Sequence, residues 1–175
     1  KGVTSIVEKS ALGITTSVGD FSTGLSEPSF TERLVDDSYS LPSGKRSRYD
    51  NTYKEATVSC NKDGHTVQFI FQVYDDGVAY RYAILGSGDI SVYAENSECL
   101  PVRQEKVYSQ QYTKNNQALY EENDTEFMAC ELYTPLPLLV HTGSDYLLLT
   151  EAMVNGNYCG SSLFVNEETK AYGYR

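Results

Sequence analysis

The chain has 175 residues, enough for one domain with a full core, and its 24 acidic and 14 basic side chains leave a formal charge of −10. That balance opposes sequence-independent binding to nucleic acid or to anionic membrane surfaces, and no apolar run approaches transmembrane length. A neutral ligand is the easier fit, and with fifteen Tyr and no Trp any sugar-binding surface would have to rest on tyrosine rather than on an exposed indole.

In chain order, short alternating segments at 4–7, 13–18, 30–35 and 56–60, each bounded by Gly, Pro, Asn or Asp, read as strands. The basic cluster Lys45-Arg46-Ser47-Arg48 lies beside Pro42 and Gly44 and reads as a solvated loop rather than a phosphate site. The central stretch places apolar residues at 67, 69, 71 and 73 and again at 78, 80, 82 and 84, which is the period of two expected of half-buried antiparallel strands. Between them, Asp75 and Asp76 bond their own backbone and Gly77 takes positive φ, so this acidic pair is turn chemistry rather than a catalytic pair. Arg81 points away from Tyr80 and Tyr82 and is expected to pair with a neighbouring acid. A further strand falls at 90–93.

Residues 101–127 are polar and acidic and read as a long excursion with little buried surface, in which 116–122 form a loop or one helical turn. Asn123-Asp124-Thr125-Glu126 is a sequon with oxygen ligands, but it lacks the glycine-centred calcium loop. Two apolar runs, 136–141 and 146–152, joined by Thr142-Gly143-Ser144-Asp145, predict a second hairpin whose strands are buried on both faces. Glu151 closes the second run. A carboxylate there must be held ionised by hydrogen bonds or a cation, emerge into solvent, or take up a proton. Asn155-Gly156-Asn157-Tyr158 has the composition of a sugar-lining loop and equally of a turn, and alternation resumes at 170–173. Cys60, Cys99, Cys130 and Cys159 lack the close spacing of zinc or iron–sulfur sites, so isolated thiols are expected, with three full disulfide pairings open for an exported protein. His65 and His141 both sit at turn signals and read as surface histidines.

No repeat or linker divides the chain, which predicts a single all-β domain over residues 1–175 with antiparallel sandwich architecture. The start at Lys1 and the end at Tyr174-Arg175 suggest an excised piece of something longer.

Five ordered segments carry a resemblance. Tyr74-Asp75-Asp76-Gly77-Val78-Ala79-Tyr80-Arg81-Tyr82 resembles the "YDDGVAFRY" phrase in the N-terminal domain of glycoside hydrolase family 97, with Tyr80 in place of the commoner Phe. Leu41-Pro42-Ser43-Gly44-Lys45-Arg46-Ser47 with Asp50-Asn51-Thr52-Tyr53-Lys54-Glu55 is similar to another of the family's segments. Pro135-Leu136-Pro137-Leu138-Leu139-Val140, Tyr146-Leu147-Leu148-Leu149-Thr150-Glu151-Ala152 and Tyr158-Cys159-Gly160-Ser161-Ser162-Leu163 follow in family order. The resemblance implies a large distorted, mutarotase-like super-sandwich that precedes a catalytic (β/α)8 barrel in an α-glucosidase or α-galactosidase acting on α-linked oligosaccharides in the periplasm or outside the cell. It implies that the general acid and the base or nucleophile lie on the barrel, so that no residue here is catalytic and this chain alone is inactive. It further implies that Glu151 is one ligand of a Ca2+ ion at the active-site rim, completed by barrel glutamates. Calcium takes roughly six to eight oxygens, so Glu151 would be a half-site. The competing readings are a stand-alone carbohydrate-binding or scaffold sandwich and an independent mutarotase-like enzyme, for which His65 and His141 are poor acid–base candidates.

Overall fold

A computed structural model describes residues 4–86, 88–115, 117–124, 133–156 and 160–174. No helix occurs among them, and the pairings in the four sheets formed by β3–β8 and β10–β17 are all antiparallel, as the alternation predicts. The strands of the first half are β1 (Ile14–Thr16), β2 (Gly19–Asp20), β3 (Ser26–Asp36), β4 (Tyr39–Ser40), β5 (Arg48–Tyr49), β6 (Thr52–Lys62), β7 (His65–Val73) and β8 (Val78–Leu85). Those of the second are β9 (Val92–Glu95), β10 (Glu98–Cys99), β11 (Lys106–Gln110), β12 (Tyr120–Asn123), β13 (Thr134–Pro135), β14 (Leu138–His141), β15 (Tyr146–Leu149), β16 (Ser162–Val165) and β17 (Tyr172–Tyr174). The chain forms two compact units, residues 16–92 and residues 1–15 with 93–175.

The first unit is built on the sheet β3-β6-β7-β8. Asp63 and Gly64, both at positive φ (51° and 80°), make the two-residue turn between β6 and β7 and bring Lys62 opposite His65. In the β7–β8 turn the Tyr74 amide donates to the Gly77 carbonyl at 2.9 Å, although Gly77 does not adopt the left-handed backbone expected of it. Val67, Phe69 and Phe71 share one face with Tyr80, Tyr82 and Ile84 of β8, and Phe69 meets Tyr82 edge-on at 5.3 Å. The opposite face is polar: Gln68 Nε2 donates to Ser59 Oγ at 3.2 Å, and Arg33 pairs with Glu55 at 2.7 Å. Arg81 lies on that polar face, opposite Ile70, and is exposed. Contrary to expectation, no ion pair joins it to a described acid: its cross-strand neighbour is the apolar Ile70, and the acid on that face, Glu55, lies on β6 and pairs with Arg33. Lys62 Nζ donates to the carbonyls of Asp20 and Thr23 at 2.5 and 2.6 Å, which ties the approach to β3 onto β6.

The second unit is a sandwich. Sheets β10-β17-β16-β13 and β12-β11-β14-β15 face one another across a core of Val107, Leu138, Val140 and Leu149 from one and Leu163 and Tyr172 from the other. The Tyr172 phenol reaches Gln104 Oε1 at 2.8 Å, so its one polar atom is satisfied inside the core.

Several expectations are corrected here. The described part of residues 101–127 is not an excursion with little buried surface, since β11 is central in its sheet and Val107 is fully buried. Residues 120–122, part of the 116–122 stretch expected as loop or helical turn, belong to β12 instead, because the cross-strand bonds to β11 outweigh a weak local signal. Residues 125–132 lie outside the described residues. The strand expected at 4–7 is reduced to a single bridge from Val7 to Pro101, whose missing amide cannot extend a ladder. Finally, β14 and β15 form the predicted hairpin but are buried on one face only: Leu138, Val140 and Leu149 are in the core, while Tyr146 and Leu148 are 58% and 56% exposed.

Candidate functional site

Glu151 stands two residues beyond β15, whose register against β14 is set by Leu139 opposite Leu148 and Val140 opposite Leu147. Leu149 enters the core, and the chain then turns toward the surface. The Glu151 carboxylate does not simply emerge into water. Both of its oxygens accept from the Ser161 backbone amide, at 3.1 and 3.0 Å, and Ser161 immediately precedes β16. The side chain therefore ties the end of one sheet to the start of the other. A Cβ at Gly160 would sit 3.8 Å from Glu151 Oε2, so the carboxylate lies close over the backbone of residues 160 and 161.

An ionised carboxylate offers about four acceptor sites. Its chemistry fits one ligand of a hard cation. A complete cage is another matter: among the described residues no three His, Cys, Asp or Glu side chains gather as a metal site. One carboxylate supplies at most two of the roughly six to eight oxygens that calcium takes.

The other sequence candidates are dispersed. Asp75 and Asp76 occupy the exposed β7–β8 turn. Lys45 and Arg46 are exposed, and Arg48 is engaged by Asp50 at 3.1 Å, consistent with a solvated loop. His65 lies edge-on to Phe21, and His141 lies against Tyr146 with the rings tilted and their centroids 4.7 Å apart, its Nδ1 3.6 Å from Glu105. Asn123 Nδ2 donates to Ser109 Oγ at 3.0 Å, so its amide serves the β11–β12 pair, while Thr125 and Glu126 lie outside the described residues. Asn155 and Gly156 are exposed; Asn157, Tyr158, Cys159 and Cys130 are likewise not described. Cys60 is a buried free thiol and Cys99 a half-buried one, whose pKa burial pushes up to about 11.

One cluster escaped sequence reasoning. On the outward face of β12-β11-β14-β15, Tyr108 donates to Glu122 at 2.9 Å, and Lys106 stands 3.3 Å from the same carboxylate. The Tyr108 bond, then Lys106, holds Glu122 below the usual carboxylate range and in turn raises the Tyr108 phenol. The alternation of Lys106, Tyr108 and Gln110 with Val107 and Ser109 was the available signal.

A family model described as Glycosyl-hydrolase 97 N-terminal matches residues 1–175. A protein of Streptomyces bingchenggensis (strain BCW-1) named probable retaining alpha-galactosidase is 29% identical over 171 residues, covering 93% of this chain and 26% of that protein. Among solved structures, a beta-arabinopyranosidase superposes with a TM-score of 0.87 at 24% identity, covering 97% of this chain and 30% of that one. A Glycoside Hydrolase Family 97 enzyme in complex with acarbose, from Pseudoalteromonas sp. strain K8, superposes with a TM-score of 0.80 at 16% identity, covering 97% and 27%. The fold is thus the all-β, sandwich-like one of these neighbours, and the chain spans less than a third of the length of each.

Proposed function

The chain belongs to the glycosyl-hydrolase 97 N-terminal family, and from that premise we propose that residues 1–175 act as one non-catalytic domain of an exo-acting α-glycoside hydrolase. The domain packs on a catalytic barrel in the same polypeptide and places Glu151 as one calcium ligand at the active-site rim. The observation that carries this reading is the family match over residues 1–175 in a chain that spans 26% of its named relative. That relative's name favours an α-galactoside over an α-glucoside as substrate.

Glycoside hydrolysis needs two carboxylates in a fixed relation across the scissile bond. In this chain Asp75 and Asp76 form an exposed turn and Glu151 is bonded to the Ser161 amide, which supports leaving the chemistry to the barrel. A bound calcium would supply positive charge near the reacting sugar. Glu151, already oriented by its amide bonds, would be its ligand from this domain. The full-length enzyme is proposed to act in the periplasm or outside the cell.

The test compares this chain with the full-length polypeptide in hydrolysis of nitrophenyl α-galactoside and α-glucoside, and in calcium calorimetry, each with and without Glu151→Gln. Hydrolysis and tight calcium binding only in the full-length protein, with the calcium lost on substitution, are expected. Equal calcium affinity after Glu151→Gln would remove that residue from the metal site. Exposed Tyr120 and Tyr146 favour the second reading, a carbohydrate-binding module acting alone; glycan binding by the 175-residue chain itself would establish it.

A further inference from the structure

A chain without tryptophan must build any sugar platform from tyrosine, and two of its tyrosines are set parallel on one short hairpin. Tyr39 of β4 lies directly opposite Tyr49 of β5, with ring centroids 5.1 Å apart and planes 14° from parallel. Such a pair presents a flat aromatic face, and Tyr39 is 47% exposed. A two-stranded sheet of this size is marginal by itself, so the hairpin depends on its braces. The Asp37 amide donates to the Asn51 carbonyl and the Leu41 amide to the Ser47 carbonyl, both at 2.9 Å. At the base, Ser38 Oγ donates to Asp36 Oδ1 at 2.6 Å and accepts from the Asn51 amide at 3.1 Å. The tyrosine pair is therefore held in place before any ligand arrives, which lowers the ordering cost of binding.

By alternation Asp37 and Leu41 share the side of Tyr39, and Ser47 and Asn51 that of Tyr49, while Arg48 and its partner Asp50 look the other way. An aromatic face flanked by carboxylate, amide and hydroxyl groups is suited to a sugar. The C–H groups of the pyranose pack on the ring, and its hydroxyls meet polar groups at the margin. Arg48 is turned to the opposite side and paired, which favours a neutral sugar over an anionic one.

We propose that the Tyr39–Tyr49 face of the β4–β5 hairpin is a carbohydrate-binding site of this domain, taking a neutral hexopyranose unit of an α-linked saccharide chain. The proposal rests on the carbohydrate reading above and adds to it a place of contact and a ligand class.

The experiment runs the full-length protein in native gels containing graded amounts of galactomannan, which carries α-galactosyl branches, or of soluble starch, an α-glucan. The parent is compared with Tyr39→Ala, Tyr39→Phe and Arg48→Ala, and hydrolysis of nitrophenyl α-galactoside and α-glucoside is followed in the same samples. The parent should be retarded by at least one polysaccharide, and Tyr39→Ala should weaken the apparent affinity by about five-fold or more. Tyr39→Phe keeps the ring face, and Arg48→Ala alters only the other side of the hairpin, so both should stay within about two-fold of the parent. No retardation of the parent, or retardation indifferent to Tyr39→Ala, overturns the site. A loss as large in Tyr39→Phe or Arg48→Ala as in Tyr39→Ala overturns the assignment to the ring face. Hydrolysis without Tyr39-dependent retardation overturns the site and leaves the functional reading intact. Tyr39-dependent retardation without hydrolysis does the reverse, and leaves the site in a carbohydrate-binding module rather than in an enzyme.

Discussion

Gly173 shows how little room single positions leave in this fold. It sits opposite Phe164 in the β16–β17 pair, and a Cβ there would approach Phe164 Cζ at 2.6 Å, so the aromatic ring covers the glycine. Gly173→Ala should cost about 1–3 kcal/mol by denaturant midpoint. The same change made beside Phe164→Ala should cost less than half as much; equal costs would mean that the ring is not the obstacle. At Glu122 the folded-state pKa lies below the usual 4.5, held down first by the Tyr108 hydroxyl. A depressed carboxylate contributes stability above its unfolded pKa and loses it as pH falls through the folded value. The Tm difference between the parent and Glu122→Gln should therefore shrink between about pH 6 and about pH 3, and should also shrink in high salt because the group is exposed. A difference unchanged across that range would show that the Tyr108 bond does not persist in solution. Cys99, with its pKa raised to about 11 by burial, should resist alkylation at neutral pH until the protein is denatured. Glu151 was legible as a residue to watch because an acid ending an apolar run is unusual. Its partner was not, since Ser161 lies ten positions along the chain and donates through its backbone, which carries no side-chain signature.

Strands with clean period-two apolar alternation were readable as elements. The 67–73 and 78–84 hairpin appears as β7 and β8 within a residue or two, because a sheet with one covered face writes its pleat into the sequence. β11 and β12 were missed for the complementary reason. Val107 is the one apolar residue of β11 facing the core, beside Ser109, whose hydroxyl accepts from Asn123, while charged and polar side chains dominate the remaining positions. A short polar strand held by neighbours on both sides has almost no local signal. The sandwich should accordingly depend on a few residues. Leu163→Ala, at a fully buried site between the two sheets, should cost about 2–5 kcal/mol by chemical denaturation. Leu34→Ala on β3, 77% exposed, should stay within about 0.5 kcal/mol. Comparable losses at both would mean that β3 is covered in solution.

For the whole chain, two compact units imply two centres of protection rather than one. Hydrogen exchange should be slowest in β6 and β7 of residues 16–92 and in β11 and β14 of the other unit, with β4 and β5 exchanging early. A single protection maximum confined to one unit would contradict that division. By itself the sequence determined the all-β class, the two hairpins and, through its ordered motifs, the family, because these reside in local alternation and in residue identity. The tertiary structure alone decided what long-range pairing decides: that residues 106–110 form a central strand, that Glu151 is pinned by the Ser161 amide, and that among the described residues the apolar run of β15 is packed on its Leu147 and Leu149 side. Burial and register are properties of neighbours distant in the chain, and no window of sequence contains them.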